Sequence, residues 1–238
     1  MKSTISKIKY IPIFGTFIES CYRFITKRKD VGFEIRSSKR FRQDGLVIKI
    51  GSNDGSIGDP ISQIVAFNPK TQCVFVEPVP HLLDRAKKIW GDNPRFRYIN
   101  TAVNDGSRMR FYYVDPEAKS IPNLSIDPEQ IGSFDRFHIL KHENGSLESF
   151  IREIDIQGTE LHTLLDEFVD FGVDILHIDT EGWDWKILSQ LQLKKCKPIW
   201  IIFEYIHLSI EEKKLAMDML SSSYDLNERG TDIFCILK

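Results

Sequence analysis

The sequence predicts an α/β fold in which a mostly parallel sheet carries helices on both faces. Three observations point there. From residue 46 onward short apolar runs alternate with segments of helical periodicity, the pattern of parallel strands joined by covering helices. The first run, Leu46-Val47-Ile48-Lys49-Ile50, breaks into a glycine-bounded turn, Gly51-Ser52-Asn53-Asp54-Gly55. The next, Val74-Phe75-Val76, ends in a carboxylate, Glu77.

Strands are expected at 46–50, 73–77, 95–99, 109–114, 173–178 and 199–205, closed by an antiparallel hairpin of 224–228 and 232–237. Helices are expected at 57–67, 80–90, 160–169, 183–191 and 209–221. Pro80 suits the first turn of its helix, where a missing N–H costs nothing. Gly172, after Phe171, supplies a C-terminal stop for the third helix. Residues 115–150 are rich in Pro, Asp, Ser and His and form an irregular insert. Such excursions beyond strand C-termini build substrate pockets. The domain reading is a basic helical extension over 1–45 and one α/β domain over 46–238.

Composition bounds the function loosely. A chain of 238 residues, 42% hydrophobic and 28% charged, with formal net charge -2, suits one globular domain. It gives no support for nucleic-acid binding. Cys21, Cys73, Cys196 and Cys235 lie far apart and form no CxxC, which argues against a disulfide framework or structural zinc and for a reducing cytoplasm. Residues 1–30 carry Lys2, Lys7, Lys9, Arg23, Lys27, Arg28 and Lys29 against Glu19 and Asp30, with Phe14, Phe17, Ile18, Cys21, Tyr22, Phe24 and Ile25 at helical spacing. This segment is too short and polar to span a bilayer and has no small-residue cleavage site. Two readings stand. A helix packed across the domain, or against a second copy in a homo-oligomer, is slightly preferred. The other is an interfacial helix on anionic lipid, peripheral at the inner face of the membrane.

The first turn chooses among nucleotides. Its Gly-Ser-Asn-Asp-Gly departs from the Gly-x-Gly-x-x-Gly that seats a pyrophosphate on a helix N-terminus. Asn53 and Asp54 place polar and anionic groups where a dinucleotide has phosphate. A carboxylate there suits the sulfonium and amino group of S-adenosylmethionine, and Glu77 can hold ribose hydroxyls. A second constellation runs Val173-Asp174-Ile175-Leu176-His177-Ile178-Asp179-Thr180-Glu181-Gly182, and Glu204 ends the following strand. Carboxylates crowded at adjacent strand ends call for a cation or a donor. The adenosylmethionine sulfonium, a substrate ammonium and Mg²⁺ all qualify; the reading leans against a tightly held Mg²⁺ and assigns no metal ligands. Alternatively, these acids cap helices or pair with Lys and Arg, an even match for Glu181 but a weaker one for Asp179 and Glu204.

His207 stands three residues past Glu204, just beyond a strand end, where packing or surface roles are commoner than catalysis. His138 and His142 have the i, i+4 spacing that chelates zinc on a helix, but no third ligand is evident in sequence. Lying in the insert with Arg136 and Lys141, they can instead contact substrate. Trp183 and Trp185 read as core more readily than as a platform for a sugar ring.

These residues bring a resemblance into view. Ile50-Gly51-Ser52-Asn53-Asp54-Gly55, Val76-Glu77-Pro78 and Asp179-Thr180-Glu181-Gly182 resemble the FkbM family of class I methyltransferases. Asn100-Thr101-Ala102-Val103, Gly132-Ser133-Phe134, Thr163-Leu164-Leu165-Asp166 and Phe203-Glu204 continue the likeness in order, from about residue 46 to 237. The family turn often has alanine where Ser52 stands, and residues 1–45 inherit nothing. The resemblance implies a Rossmann-like class I methyltransferase sheet and an adenosylmethionine-dependent transfer to oxygen, commonly on a sugar or polyketide hydroxyl. It implies that Gly51, Asn53, Asp54 and Gly55, with Ser52 among them, line the methionine end of the cofactor and that Glu77 holds its ribose. It implies further that Thr101, Ala102 and Val103 border the adenine, and that Asp179 sits beside the reactive methyl. Asp179, Glu181, Glu204 and His207 are the candidates to assist a hydroxyl nucleophile. Ser133, Arg136, His138, Lys141 and His142 are the candidates to meet a saccharide, glycolipid or polysaccharide-precursor acceptor. An NAD-dependent oxidoreductase and a non-catalytic adenosylmethionine-binding module are the rivals.

Overall fold

The computed structural model describes residues 31–55 and 60–238, so the expectations for residues 1–30 and the first turn of the 57–67 helix lie outside it. Along the chain α1 (Val31–Ser37), β1 (Leu46–Ile50), α2 (Pro60–Phe67), β2 (Gln72–Val76), α3 (Pro80–Trp90) and β3 (Phe96–Ile99) come first. Then follow β4 (Ala102–Val103), β5 (Arg108–Val114), β6 (Gly132–Ser133), α4 (Arg136–Lys141), β7 (Ile151–Thr159) and α5 (Leu161–Asp166). The chain closes with β8 (Val173–Ile178), α6 (Asp184–Leu188), β9 (Trp200–Glu204), α7 (Ile210–Ser221), β10 (Tyr224–Arg229) and β11 (Asp232–Leu237).

Seven strands form the main sheet in the order β10-β11-β9-β8-β1-β2-β3. β1 runs parallel to β2 and β8, β2 to β3, and β8 to β9, whereas β11 is antiparallel to both β9 and β10. The predicted parallel sheet with a late antiparallel hairpin is therefore present. β1 is buried at every position because it lies at the centre and is covered on both faces. Its alternate residues feed two cores: Leu46, Ile48 and Ile50 join one, and Val47 joins the other.

The expected strand at 109–114 does not join this sheet. It is β5, which pairs antiparallel with β7 and β6 in a separate four-stranded sheet of order β4-β7-β5-β6. β7 was not expected at all. Arg152, Glu153 and Asp155 interrupt its apolar residues, and they are exposed. One face of this small sheet sets Phe111 and Ile156 on Val79, Leu82 and Ala102, and the other sets Tyr112, Val114 and Ile151 on Ile131, Ile139 and Leu147 of the insert, while Arg110 and Glu153 pair across the strands at 3.4 Å. The insert also holds α4, where an irregular segment was expected.

Local signals fix the helices that bear on the cavity. α3 starts with Pro80 in its first turn, buries Leu82, Leu83 and Ala86, and ends where Gly91 takes φ +81° and donates its N–H to the Lys87 carbonyl at 2.9 Å. α7 opens on a reciprocal cap between Ser209 and Glu212. Upstream of β1, α1 belongs to the core, because Ile35 is fully buried among Val47, Ile61, Ile64 and Phe75. Among the described residues no helix is long and apolar enough to cross a membrane.

Candidate active site

A cavity of about 260 Å³ opens at the C-terminal ends of β1, β2, β8 and β9, roofed by the small sheet and the insert. Parallel strands deliver their last residues to one edge, and here these are turns and acids. Gly51, Ser52, Asn53, Glu77, Thr101, Ala102, Val103, Asp179, Glu181 and Glu204 all line it. Ten residues predicted from sequence thus meet in one space.

The turn after β1 needs its first glycine. Gly51 has φ +73°, and a Cβ there would lie 1.7 Å from the carbonyl oxygen of Asp179, so only a residue without a side chain lets the ends of β1 and β8 meet. Asn53, at φ +50°, donates its backbone N–H to Glu77 Oε2 at 2.8 Å. Its side-chain amide donates to the Glu129 carbonyl at 3.0 Å, tying the turn to the insert. Asp54 and Gly55 do not line the cavity. The Asp54 N–H donates to Asn53 Oδ1 at 2.6 Å, and the Gly55 carbonyl accepts from the Ser62 hydroxyl at 2.9 Å. They shape the loop from behind.

Glu77 is buried, and its other oxygen accepts the Val79 N–H at 3.0 Å. Burial pushes its carboxyl up to about 7, although the two backbone donors and nearby Lys49 oppose the rise. Thr101, Ala102 and Val103 form the next wall, with the Thr101 hydroxyl donating to the Gln157 carbonyl at 2.9 Å. Phe111, Tyr113 and Phe134 face them, and the Phe134 ring meets that of Trp183 at 4.4 Å between centroids.

At the opposite end stand the acids. Carboxylate oxygens of Asp179, Glu181 and Glu204 lie within 4.8 Å of one another. Asp184, buried behind them, accepts the N–H groups of Thr180 at 3.3 Å and Gly182 at 3.2 Å and so holds the turn. Burial, reinforced by Asp179 and Glu181, pushes the Glu204 carboxyl up to about 9. Glu181 goes the other way: burial raises it, but the imidazoles of His138 at 3.3 Å and His207 at 3.2 Å outweigh burial and hold it at about 2.

The insert meets this acid end through α4. His142 Nε2 lies 3.3 Å from His138 Nε2, and burial with the neighbouring His138 holds the His142 imidazole below its ordinary value. Glu181 and His207 approach this pair from two other strand ends, so three imidazoles and a carboxylate meet here. Ser133 is buried beside the turn, its hydroxyl donating to the Glu181 carbonyl at 3.4 Å. Arg136 turns away to Glu148 at 3.2 Å and Lys141 is exposed, so these two do not join the site.

Two charged lining residues escaped the sequence reading, as did the aromatic roof of Phe111 and Tyr113. Lys49 is buried in the wall, and a lysine inside Leu-Val-Ile-Lys-Ile was itself a signal, because lysine is seldom buried without a partner. Glu129 is pinned by Arg85 at 2.9 Å and by Lys119; burial raises its carboxyl, but these partners bring it down to about 2. Nothing in its Asp-Pro-Glu context marked it.

A strand order reversing beside β1, an acid just after β2 and a cavity across both are the features of a nucleotide-cofactor site on a parallel sheet. Residues 49–229 match the Methyltransferase FkbM domain, and the chain belongs to that family. This sets aside the nicotinamide oxidoreductase. No curated protein matches the chain. Among solved structures, the MycE methyltransferase of the mycinamycin biosynthetic pathway, in complex with Mg and SAH, is similar at 14% identity and TM-score 0.47, over 93% of this chain and 48% of its own. A fibrillarin/Nop5p complex is similar at 10% identity and TM-score 0.44, over 89% and 80%. An adenosylmethionine-dependent O-methyltransferase from Thermotoga maritima is similar at 8% identity and TM-score 0.41, over 90% and 69%.

Proposed function

We propose that the protein methylates a hydroxyl oxygen of a saccharide, a glycolipid or polysaccharide precursor, or a related metabolite. The observation that supports this most is a single cavity with Glu77 at one end and Asp179 with Glu204 at the other, under an aromatic roof. The donor set fits adenosylmethionine. The Glu77 carboxylate suits vicinal ribose hydroxyls, and acids beside the Gly51 turn suit a cationic group. When bound, the cofactor supplies an electrophilic methyl group. The chain does the rest. Gly51 and Asn53 shape the binding turn, and the roof residues Phe111, Tyr113 and Phe134 keep water out.

A sugar hydroxyl needs a proton acceptor at neutral pH. We assign that role to Asp179, which ends β8 in the cavity, since Glu181 and His207 engage each other at 3.2 Å. The rings of Phe134 and Trp183 give the acceptor an apolar wall of the kind carbohydrate faces prefer. The basic, amphipathic residues 1–30 favour a lipid-linked acceptor; the full chain should then be retained by vesicles with anionic lipid and not by neutral ones.

The deciding experiment is transfer of a labelled methyl group to cell-envelope extracts, with product analysis for methyl ethers. Adenosylhomocysteine binding together with methyl-ether formation supports the reading. Binding without any transfer would favour a cofactor-binding module, and label on nitrogen or carbon would refute O-methylation.

A further inference from the structure

We propose that His138, His142, His207 and Glu181 bind a divalent transition-metal ion of the zinc class at the rim of the cavity. One ligand atom from each lies within 4.8 Å of all the others. Three of the separations are short: His138 Nε2 to Glu181 Oε2 at 3.3 Å, His142 Nε2 to His138 Nε2 at 3.3 Å, and His207 Nε2 to Glu181 Oε2 at 3.2 Å. Metal–nitrogen bonds of about 2.0–2.1 Å at tetrahedral angles set neighbouring ligand atoms about 3.3 Å apart. These three separations match that spacing, and the other three stay within 4.8 Å, close enough for a small adjustment of side chains to complete the shell.

Hydrogen bonding alone accounts for it poorly. An imidazole Nε2 offers one proton or one lone pair, directed in the ring plane. His138 Nε2 faces both Glu181 and His142, so a single proton cannot serve both contacts. A cation between the four groups satisfies every one of them. Three imidazoles with one carboxylate also select the metal, since Mg²⁺ and Ca²⁺ prefer all-oxygen shells.

The backbone is bent to bring them together. Glu181 holds φ +53°, a left-handed conformation seldom adopted by residues with a side chain. Next to it, Gly182 at φ +97° leaves a gap whose would-be Cβ is 3.5 Å from His207 Cβ and 3.9 Å from His138 Nδ1. A Cβ here would make only ordinary van der Waals contact with the two histidines, so it is the backbone conformation that calls for glycine. Strain collected at such a turn points to a ligand function. Glu181 lines the cavity and is shared with the Asp179–Glu204 cluster, so the ion would face the space an acceptor must enter. The metal assignment stands whether or not the acceptor is a hydroxyl.

The test titrates chelator-treated full-length protein with Zn²⁺ against a chromophoric competitor, without cofactor. One ion per chain is expected. His142→Gln and His207→Gln should each weaken binding by at least about 100-fold, beyond the loss typical of groups that merely support ligands. Co²⁺ should give the visible ligand-field bands of a four- or five-coordinate nitrogen-rich site in the wild type, a readout that needs no variant. Circular dichroism and adenosylhomocysteine affinity confirm that the variants are folded. No stoichiometric Zn²⁺ uptake, uptake unaffected by both substitutions, or uptake of Mg²⁺ alone would each overturn the site. A protein that takes Zn²⁺ but no adenosylhomocysteine would keep the metal and lose the cofactor reading; the reverse would do the opposite.

Discussion

Glu77 concentrates the chemistry of the cofactor end in one side chain. It is buried at the end of β2, is held by the N–H groups of Asn53 and Val79, and titrates at about 7. Its ionised form is the better acceptor for two hydroxyls, so adenosylhomocysteine affinity should climb as pH rises through 7. Glu77→Gln should lower affinity about 10- to 100-fold, the worth of hydrogen bonds to a charged group, and flatten the pH dependence. Calorimetry from pH 5.5 to about 8.5 reads both effects, across the range in which such a group changes charge. Asp179 lines the cavity at the end we assign to the acceptor. Asp179→Asn should reduce kcat by about 10²- to 10⁴-fold if it accepts the acceptor's proton, with single-turnover methyl transfer as the measurement. Both acids were legible because apolar strands run straight into them. The histidine cluster was not: His138 and His142 share a helix turn, but His207 and Glu181 arrive from different strand ends, and proximity of that kind exists only in three dimensions.

At the scale of elements, legibility followed burial. β1 and β8 are buried on both faces and read as mainly apolar runs, broken by Lys49 in one and by Asp174 and His177 in the other, with the bounds they have in the structure. β7 is only partly buried, and its exposed Arg152, Glu153 and Asp155 break the run. Its partner β5 could be seen as a strand but not assigned to a sheet, because a strand's own sequence does not say which neighbour completes its hydrogen bonds. α7 was legible at its start, where Ser209 and Glu212 cap each other. Ser209→Ala should cost about 1 kcal/mol of stability through loss of that cap, measured as a lower midpoint in urea with unchanged slope. No residue of α7 lines the cavity, so cofactor affinity should stay the same.

Across the whole molecule, the buried Glu77 couples folding to pH. Its carboxyl is near 4.5 when unfolded and about 7 when folded. Between those values the folded state holds a proton that the unfolded chain has released. Its contribution to stability is therefore full below 4.5 and fades as pH rises through 7. The ligand-free protein should lose thermal stability across that interval, and Glu77→Gln should make the slope shallower; the part that remains belongs to Glu204 and Asp184, whose buried carboxyls are raised as well. Saturating adenosylhomocysteine offsets the loss: at a hundredfold excess over Kd it should add about 2.7 kcal/mol. Two cores flank the main sheet, Ile35 of α1 belonging to one and Tyr224 of β10 to the other.

Asn53 reaches from the cofactor turn to the backbone of Glu129, which Arg85 and Lys119 already fasten from the far side. The ceiling over the acceptor's place thus rests on the same loop that receives the nucleoside. Catalysis should accordingly proceed as a compulsory queue, the methyl donor entering first and its spent form leaving last. Initial-rate product inhibition checks this: adenosylhomocysteine should compete with the donor alone, and a random pattern would mean that the two compartments open independently.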